Sequence, residues 1–153
     1  MKQIAFVILL SLISSVSRAE LTEEELVSTT QAFIAAKNAR QQPDSNVADV
    51  DQFLSFLDDN IIDEHVKFNV TITNKAALRE GMLAKLEDKI IFSHMEIIDM
   101  MVGKNVVFVK FKEHAKGQPS HLTHPIEYTA VNIMSLEFNE KGKIAHIRRH
   151  HGM

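Results

Sequence analysis

The sequence predicts an α+β fold in which three helices pack on the concave face of a curved antiparallel sheet. Two observations lead to this prediction. Apolar residues recur at helical spacing over residues 22–60 and 75–88, and four long stretches with strand-like alternation follow from residue 90 to the end of the chain. Helices that precede such a sheet cover one side of it and can leave a cavity between the two layers.

The three helices have recognisable starts. Thr22 is followed by three glutamates and forms a capping box, and the first helix ends before Pro43. A second helix is predicted over residues 47–60, and Asn74 caps a third over residues 75–88. The second helix would bury an apolar stripe made of Val50, Phe53, Leu54 and Leu57.

Strand patterning begins between the second and third helices. Over residues 61–72, Val66, Phe68 and Val70 alternate with polar residues, which is typical of a strand. Glycine-containing turns separate the later strands, which are predicted over residues 92–102, 106–115, 126–139 and 143–151. No internal repeat occurs, and residues 20–153 are predicted to form a single domain.

The first nineteen residues have the pattern of a secretory signal peptide. Lys2 precedes an apolar run over residues 4–13, and the small residues Ser17 and Ala19 define a cleavage point before Glu20. The run is shorter than the roughly 20 apolar residues that cross a bilayer. We therefore expect a cleaved, periplasmic or secreted protein, with an uncleaved membrane anchor as the alternative.

The charge of the chain argues against a nucleic-acid or anionic-lipid partner. Removal of Lys2 and Arg18 lowers the basic count from 17 to 15 against 20 acidic residues, which changes the net charge from −3 to −5. Binding to phosphates requires a concentrated basic surface. There is no cysteine, so the exported domain has to be stabilised by its core without disulfides.

Three segments carry a family resemblance. They are residues 56–62 (Phe-Leu-Asp-Asp-Asn-Ile-Ile), 74–82 (Asn-Lys-Ala-Ala-Leu-Arg-Glu-Gly-Met) and 138–144 (Phe-Asn-Glu-Lys-Gly-Lys-Ile). In order and spacing the chain resembles the SnoaL-like and ketosteroid isomerase-like branch of the nuclear transport factor 2-like superfamily. The resemblance implies a cone-shaped fold with a deep pocket, commonly dimeric through the outer face of the sheet. It implies no single function, because such a fold hosts both enzymes and binding modules.

The strand over residues 126–139 indicates which side chains face the pocket. One of its faces is largely apolar and carries only two polar groups, Tyr128 and Asn132. A phenol and an amide that converge in an apolar cavity can orient a small polar ligand. The alternative is that Tyr128 reaches the rim and Asn132 satisfies a backbone group.

Glu64 is the candidate general base. The family resemblance implies an acid at this offset after the helix-two segment, inside the pocket. Burial of a carboxylate in an apolar cavity disfavours its charged form and suits it to accept a proton from a substrate. Asp63 and His65 are its neighbours, so a shift of one residue changes the assignment.

Two further residues are candidate ligand contacts. His94 shares a strand face with Glu96 and can act with it as a base and its orienting group. The alternative is that a second subunit covers the outer face of the sheet, which would also give this strand two half-apolar faces. On the last strand Arg149 shares a face with His151, and either residue can bind an anionic group at the pocket mouth. A solvated chain end explains this run equally well.

No metal or cofactor is predicted. His121 and His124 have H-x-x-H spacing, but they lie on a loop between prolines, where the spacing does not bring the two imidazoles to one side.

The sequence therefore predicts an exported protein that binds a small, largely apolar molecule. One alternative is an isomerase or dehydratase that uses Glu64. Another is a protein-interaction module with an apolar sheet face, which contains Met95, Met100, Met101 and Val131. A homodimer is also expected, because the strip containing Thr129, Val131, Ile133 and Ser135 is too apolar for an exposed sheet face.

Overall fold

The computed structural model describes residues 20–152, so the predicted signal peptide lies outside the described residues. The helices are α1 (Glu23–Ala39), α2 (Val47–Leu54) and α3 (Lys75–Ala84). The strands are β1 (Leu57–His65), β2 (Val70–Ile72), β3 (Lys89–Val102), β4 (Val106–Gln118), β5 (Ile126–Phe138) and β6 (Ile144–His150). Two 3₁₀ turns, Val66–Phe68 and Lys85–Glu87, follow β1 and α3.

The six strands form one open sheet in the order β2-β1-β6-β5-β4-β3. This confirms the α+β class with three helices. The sheet differs from the antiparallel expectation in one pair, because β1 runs parallel to β6, with Asp63 opposite Ile147 and His65 opposite Arg149. Two register shifts in β3, each accommodating an extra residue, bend the strand and add to the curvature.

The core lies between the helices and the concave face of the sheet. Phe33 of α1 and Phe53 of α2 are fully buried, with ring centroids 4.9 Å apart. The sheet contributes a second layer of fully buried residues, Val107, Val109, Met134, Leu136, Ile144 and Ile147. Each such side chain contributes about 1.5 to 3 kcal/mol by leaving water, so this layer stabilises the fold without disulfides.

The predicted helix starts are confirmed. Thr22 Oγ1 accepts from the Glu25 amide at 3.2 Å, and the Glu25 carboxylate accepts from the Thr22 amide at 2.8 Å, which completes the capping box. Asn74 caps α3 by accepting from the Ala77 amide at 2.7 Å.

Several predicted boundaries were wrong, and β4 runs on through the predicted glycine turn as far as Gln118. The second helix ends at Leu54, not at residue 60, and Leu57 is the first residue of β1. The third helix ends at Ala84 and continues only as a 3₁₀ turn. The strand predicted over residues 61–72 is interrupted by the turn Val66–Phe68, which ends at Asn69 in a left-handed conformation with φ 51°.

The end of α1 is attached to the free edge of β3. Asn38 donates from Nδ2 to the Met95 carbonyl at 2.8 Å, and its Oδ1 accepts from the Met95 amide at 2.7 Å. Gln42 adds a hydrogen bond to the Ser93 carbonyl at 2.8 Å. These side-chain amides satisfy backbone groups at the edge of β3, as a neighbouring strand would. They also fix the rotation of the last turn of α1 relative to the sheet.

Candidate functional site

A cavity of about 500 Å³ lies between the helices and the sheet. Its walls come from α1, α3 and every strand except β3. A smaller cavity of about 220 Å³ adjoins it, and the two share Arg40, Gln41, Met82, Lys85 and Tyr128. The larger volume falls within the range typical of small-molecule sites.

The lining of the cavity combines the expected apolar surface with several charged side chains. Apolar surface comes from Ile72, Leu78, Met82 and Phe111. A group of five charged residues, called here the charged cluster, occupies the rest of the interior: Lys37, Arg40, Asp63, Glu113 and Arg149.

Asp63 and Arg149 form the best-ordered pair of the cluster. Arg149 donates from Nε to Oδ1 at 2.8 Å and from Nη2 to Oδ2 at 2.9 Å. The two residues come from the parallel strands β1 and β6, and Asp63 is only 2% exposed. The bidentate geometry fixes both side chains and uses the charge of Arg149 to compensate the buried carboxylate.

Lys37 and Glu113 form a second pair. Lys37 is 4% exposed, and its Nζ lies 3.4 Å from Glu113 Oε1 and 3.0 Å from Gln41 Oε1. Burial lowers the pKa of the Lys37 ammonium to about 7, although the Glu113 carboxylate opposes the shift. Near neutral pH this amine can therefore donate or accept a proton.

Arg40 is the third cation of the cluster. It terminates α1, and its guanidinium carbon lies 4.5 Å from the centroid of the Phe53 ring. Burial, followed by the charge of Arg149, lowers the pKa of Arg40 to about 10, so it stays charged at pH 7. Among residues 20–152, its buried Nε has no hydrogen-bond partner.

Tyr128 and Asn132 both line the cavity, on the face of β5 that the alternation indicated. Tyr128 is 45% exposed and stands at the mouth. Burial of the rest of the Tyr128 side chain, together with the charge of Glu113, raises the pKa of the Tyr128 phenol to about 12. Asn132 is buried, and its Oδ1 accepts from the Gly152 amide at 2.7 Å. The cavity position and the backbone contact, posed as alternatives for Asn132, thus occur together.

Glu64 does not line either cavity, contrary to expectation. It lies on the opposite face of β1, where its Oε2 is 2.9 Å from His146 Nε2 and 3.6 Å from Arg148 Nε. Side chains alternate along a strand, so the acid that enters the cavity is its neighbour Asp63.

His94 is exposed on β3 and lines neither of the two cavities. Its neighbours Ser93 and Met95 are buried on the inner side of the strand. Arg149 and His151 do line the cavity, and ligand binding by these residues stays a prediction.

An aromatic group stands at the cavity mouth. The rings of His65 and His151 are stacked 5.6 Å apart, and Phe68 contacts His151 edge-on at 4.9 Å. Burial lowers the pKa of both histidines, and the charge of Arg149 acts in the same direction.

Lys37, Arg40 and Glu113 were not identified from the sequence. A usable signal existed for the first two, because Leu26, Thr30 and Phe33 are buried on one face of α1, and continuing the spacing by four and then three residues reaches Lys37 and Arg40. Basic residues at the C-terminal end of a helix are normally interpreted as exposed to solvent and stabilised by the helix dipole, which is why these two were not assigned to the cavity. Strand alternation carries a signal for Glu113, because Glu113 continues the buried alternate positions Val107, Val109 and Phe111 of β4.

Within residues 20–152, no three or more His, Cys, Asp or Glu side chains are grouped so that they could hold a metal ion. No helix in that part of the chain is long and apolar enough to cross a membrane.

No protein-family model matches the sequence, and no curated protein matches it. Solved structures do match. A protein from Shewanella denitrificans OS-217 named as a SnoaL-like polyketide cyclase superposes with a TM-score of 0.68 at 10% identity, over 85% of this chain and 91% of that one. An NTF-2 like protein of unknown function from Burkholderia xenovorans LB400 gives 0.59 at 18% identity, over 85% and 84% of the two chains.

The chain has the nuclear transport factor 2-like fold. A third structure with this fold, an LEH-like epoxide hydrolase from M. tuberculosis, matches with a TM-score of 0.64 at 15% identity, over 84% of this chain and 83% of that one. The resemblance inferred from the three sequence segments is confirmed at the level of the fold. At such identities the nuclear transport factor 2-like fold does not define a function.

Proposed function

We propose that the protein binds a small organic molecule of mixed polarity in the larger cavity. The single observation that carries this proposal is the charged cluster, enclosed within a cavity that also has an apolar wall. The apolar part of the ligand packs against Leu78, Met82 and Phe111. Its polar part is directed to the cluster.

The energetics of buried charge support a binding role over a structural one. Apolar residues of similar volume generally stabilise a fold as well as buried ion pairs do, or better. A cluster with two buried pairs and a further arginine is therefore a poor device for stability alone. Strongly shifted titrating groups in a cleft, such as Lys37, are typical of functional sites.

Gly81 offers a direct test. It lines the cavity on the face of α3 that also presents Leu78, Met82 and Lys85, and a Cβ added there would meet no heavy atom within 4 Å. The neutral apolar probe N-phenylnaphthylamine should bind the wild type with fluorescence enhancement. Gly81→Leu should weaken its binding by about tenfold or more through narrowing of the cavity, an effect equivalent to about 1.4 kcal/mol.

Gly81→Ala is the matched control. Both variants improve helix propensity by removing a mid-helix glycine, so both should melt at or above the wild-type temperature. Only the leucine should affect binding of the probe. Equal binding by all three proteins, or no binding by the wild type, contradicts the proposal.

A second candidate function is proton-transfer catalysis, favoured by the position of Lys37 beside Glu113. A buried amine with a pKa of about 7 suits general acid–base chemistry at neutral pH. Because one protein of the same fold is named as an LEH-like epoxide hydrolase, hydrolysis of styrene oxide to its diol is a suitable first assay. Turnover by the wild type that is lost in Lys37→Met supports this function. If the wild type binds the neutral probe but does not turn over styrene oxide, ligand binding without catalysis remains as the proposed function.

We also propose that the protein is exported, supported by the pattern of residues 1–19. Intact mass of the exported protein should correspond to a chain that begins at Glu20.

The third alternative, an interaction module, loses part of its support. Met95 belongs to the core at 3% exposure, whereas Met101 is 64% exposed, so the two do not share one surface.

A further inference from the structure

The larger cavity is more basic than the chain as a whole. Its lining has four basic residues, Lys37, Arg40, Lys85 and Arg149, and two acidic residues, Asp63 and Glu113. The complete chain, in contrast, has a net charge of −3. A basic interior within an acidic protein points to a site that attracts negative charge.

Two of the cations already have acidic partners. Arg149 uses Nε and Nη2 in its bidentate contact with Asp63, and Lys37 faces Glu113 and Gln41. Lys85 is exposed at the mouth, where water can solvate its ammonium group.

Arg40 differs from all three. Within residues 20–152 no carboxylate forms an ion pair with it, and its buried Nε donates to no acceptor. Its guanidinium lies against the Phe53 ring, which stabilises the charge without satisfying the N–H donors. A buried donor left unsatisfied in this way costs stability, unless a bound group accepts from it.

We infer that the ligand carries a single anionic group, a carboxylate or a sulfonate, which accepts hydrogen bonds from the guanidinium of Arg40. This inference rests on the proposed function and adds the chemical class of the ligand. Among the residues that the structure describes, Arg40 is the one interior cation without an acidic partner, and a single anion would balance its charge. The planar guanidinium matches a planar carboxylate in particular, because two N–H groups can donate to the two oxygens.

A pair of fluorescent probes isolates this interaction. N-phenylnaphthylamine and anilinonaphthalene sulfonate share one apolar skeleton, and only the second carries an anion. The wild type should bind the sulfonate at least about tenfold more tightly, as expected for a hydrogen bond to a charged group. Arg40→Met should lose about tenfold in sulfonate affinity and leave the affinity for the neutral probe within about twofold.

The matched control is Arg148→Met. Arg148 lies on the outer face of the sheet near Glu64 and lines neither cavity, so its variant should bind both probes as the wild type does. Arg40→Lys keeps the charge and should retain most of the preference for the sulfonate. Arg40→Met should also melt at a higher temperature without ligand, because it removes a partly buried guanidinium whose Nε has no acceptor within residues 20–152. The sulfonate should no longer stabilise this variant.

The outcomes separate the two proposals. A wild type that binds both probes equally, or an Arg40→Met variant that retains the preference for the sulfonate, overturns the anion site and leaves the binding function intact. A wild type that binds neither probe overturns both. If Arg40→Met does not fold, the neutral variant Arg40→Gln takes its place, and an Arg40→Gln variant that retains the preference for the sulfonate likewise overturns the anion site.

Discussion

Arg149 and Asp63 meet through two parallel hydrogen bonds of 2.8 and 2.9 Å inside the cavity. A second arginine–aspartate pair, Arg79 with Asp51, has the same bonding pattern at 2.7 and 3.2 Å but lies exposed on α3 and α2. The chain thus contains two pairs of similar chemistry that differ mainly in burial.

We expect Asp63→Asn to destabilise the protein strongly. The change leaves the Arg149 guanidinium in the cavity without its counter-charge, and removing one partner of a buried pair typically costs roughly 3 to 5 kcal/mol. Chemical unfolding monitored by circular dichroism measures this difference.

Asp51→Asn is the control for Asp63→Asn, because water solvates Arg79 when its partner is lost. It should change stability far less. Equal effects of the two substitutions would show that the cavity around Arg149 is as well solvated as the surface.

Stability should increase as the pH is raised from about 7 to 9, because of Lys37. Burial lowers its pKa in the folded state to about 7, well below the ordinary value of 10.5. Between these values the unfolded chain binds more protons, so the free energy of unfolding rises with pH, by up to about 1.4 kcal/mol per pH unit. Below pH 7 both states are protonated, and the folded state bears the full cost of the buried charge.

The double variant Lys37→Met with Glu113→Gln should remove this pH dependence. Glutamine in place of Glu113 avoids leaving an unpaired carboxylate beside the new methionine. Melting temperatures at several pH values provide the measurement, and an unchanged slope in the double variant would assign the effect to another group.

Asn132→Leu should preserve folding and weaken binding of the anionic probe. Its bond to the Gly152 amide lies near the chain end, and its loss should cost about 1 kcal/mol. A ligand that reaches this wall of the cavity would lose a polar partner. A melting curve and a binding isotherm on this variant decide the point: a loss of several kcal/mol with unchanged affinity would make Asn132 a structural residue.

We expect a homodimer formed through the outer face of the sheet. Phe108 on β4 is 38% exposed and lies opposite Ser135 of the predicted strip and Met101 of β3. Phe108→Lys should therefore shift the protein to monomer in sedimentation velocity. Val47→Lys, which changes an exposed apolar residue on α2, should not. A wild type that sediments as a monomer at micromolar concentration would contradict the prediction.

The fold could be predicted because most elements carry a local signal, but the end of α2 does not. Leu57 continues the helical spacing of Val50, Phe53 and Leu54, and it is fully buried in the structure as the first residue of β1. A buried residue fits either period, so sequence spacing alone could not distinguish the last helical turn from the start of the strand.

Glu64 was chosen over Asp63 from the offset that the family resemblance implies after the helix-two segment, and the strand pattern did not correct this choice. In the predicted strand, Glu64 shares a face with the apolar residues Val66 and Phe68. These two residues instead belong to a 3₁₀ turn and are 45% and 60% exposed. The inward face is set by Ile61, and it therefore includes Asp63.

The amide contacts of Asn38 link two properties of the molecule that are otherwise unrelated. Asn38 lies between Lys37 and Arg40 in the last turn of α1, so the rotation that seats it on Met95 also turns the two cations into the cavity. Deletion of one residue earlier in α1 would rotate this turn by about 100°. The edge of β3 would then lose its cover and could pair with a strand from another molecule. A one-residue deletion in the helix would therefore cause both aggregation and loss of the site.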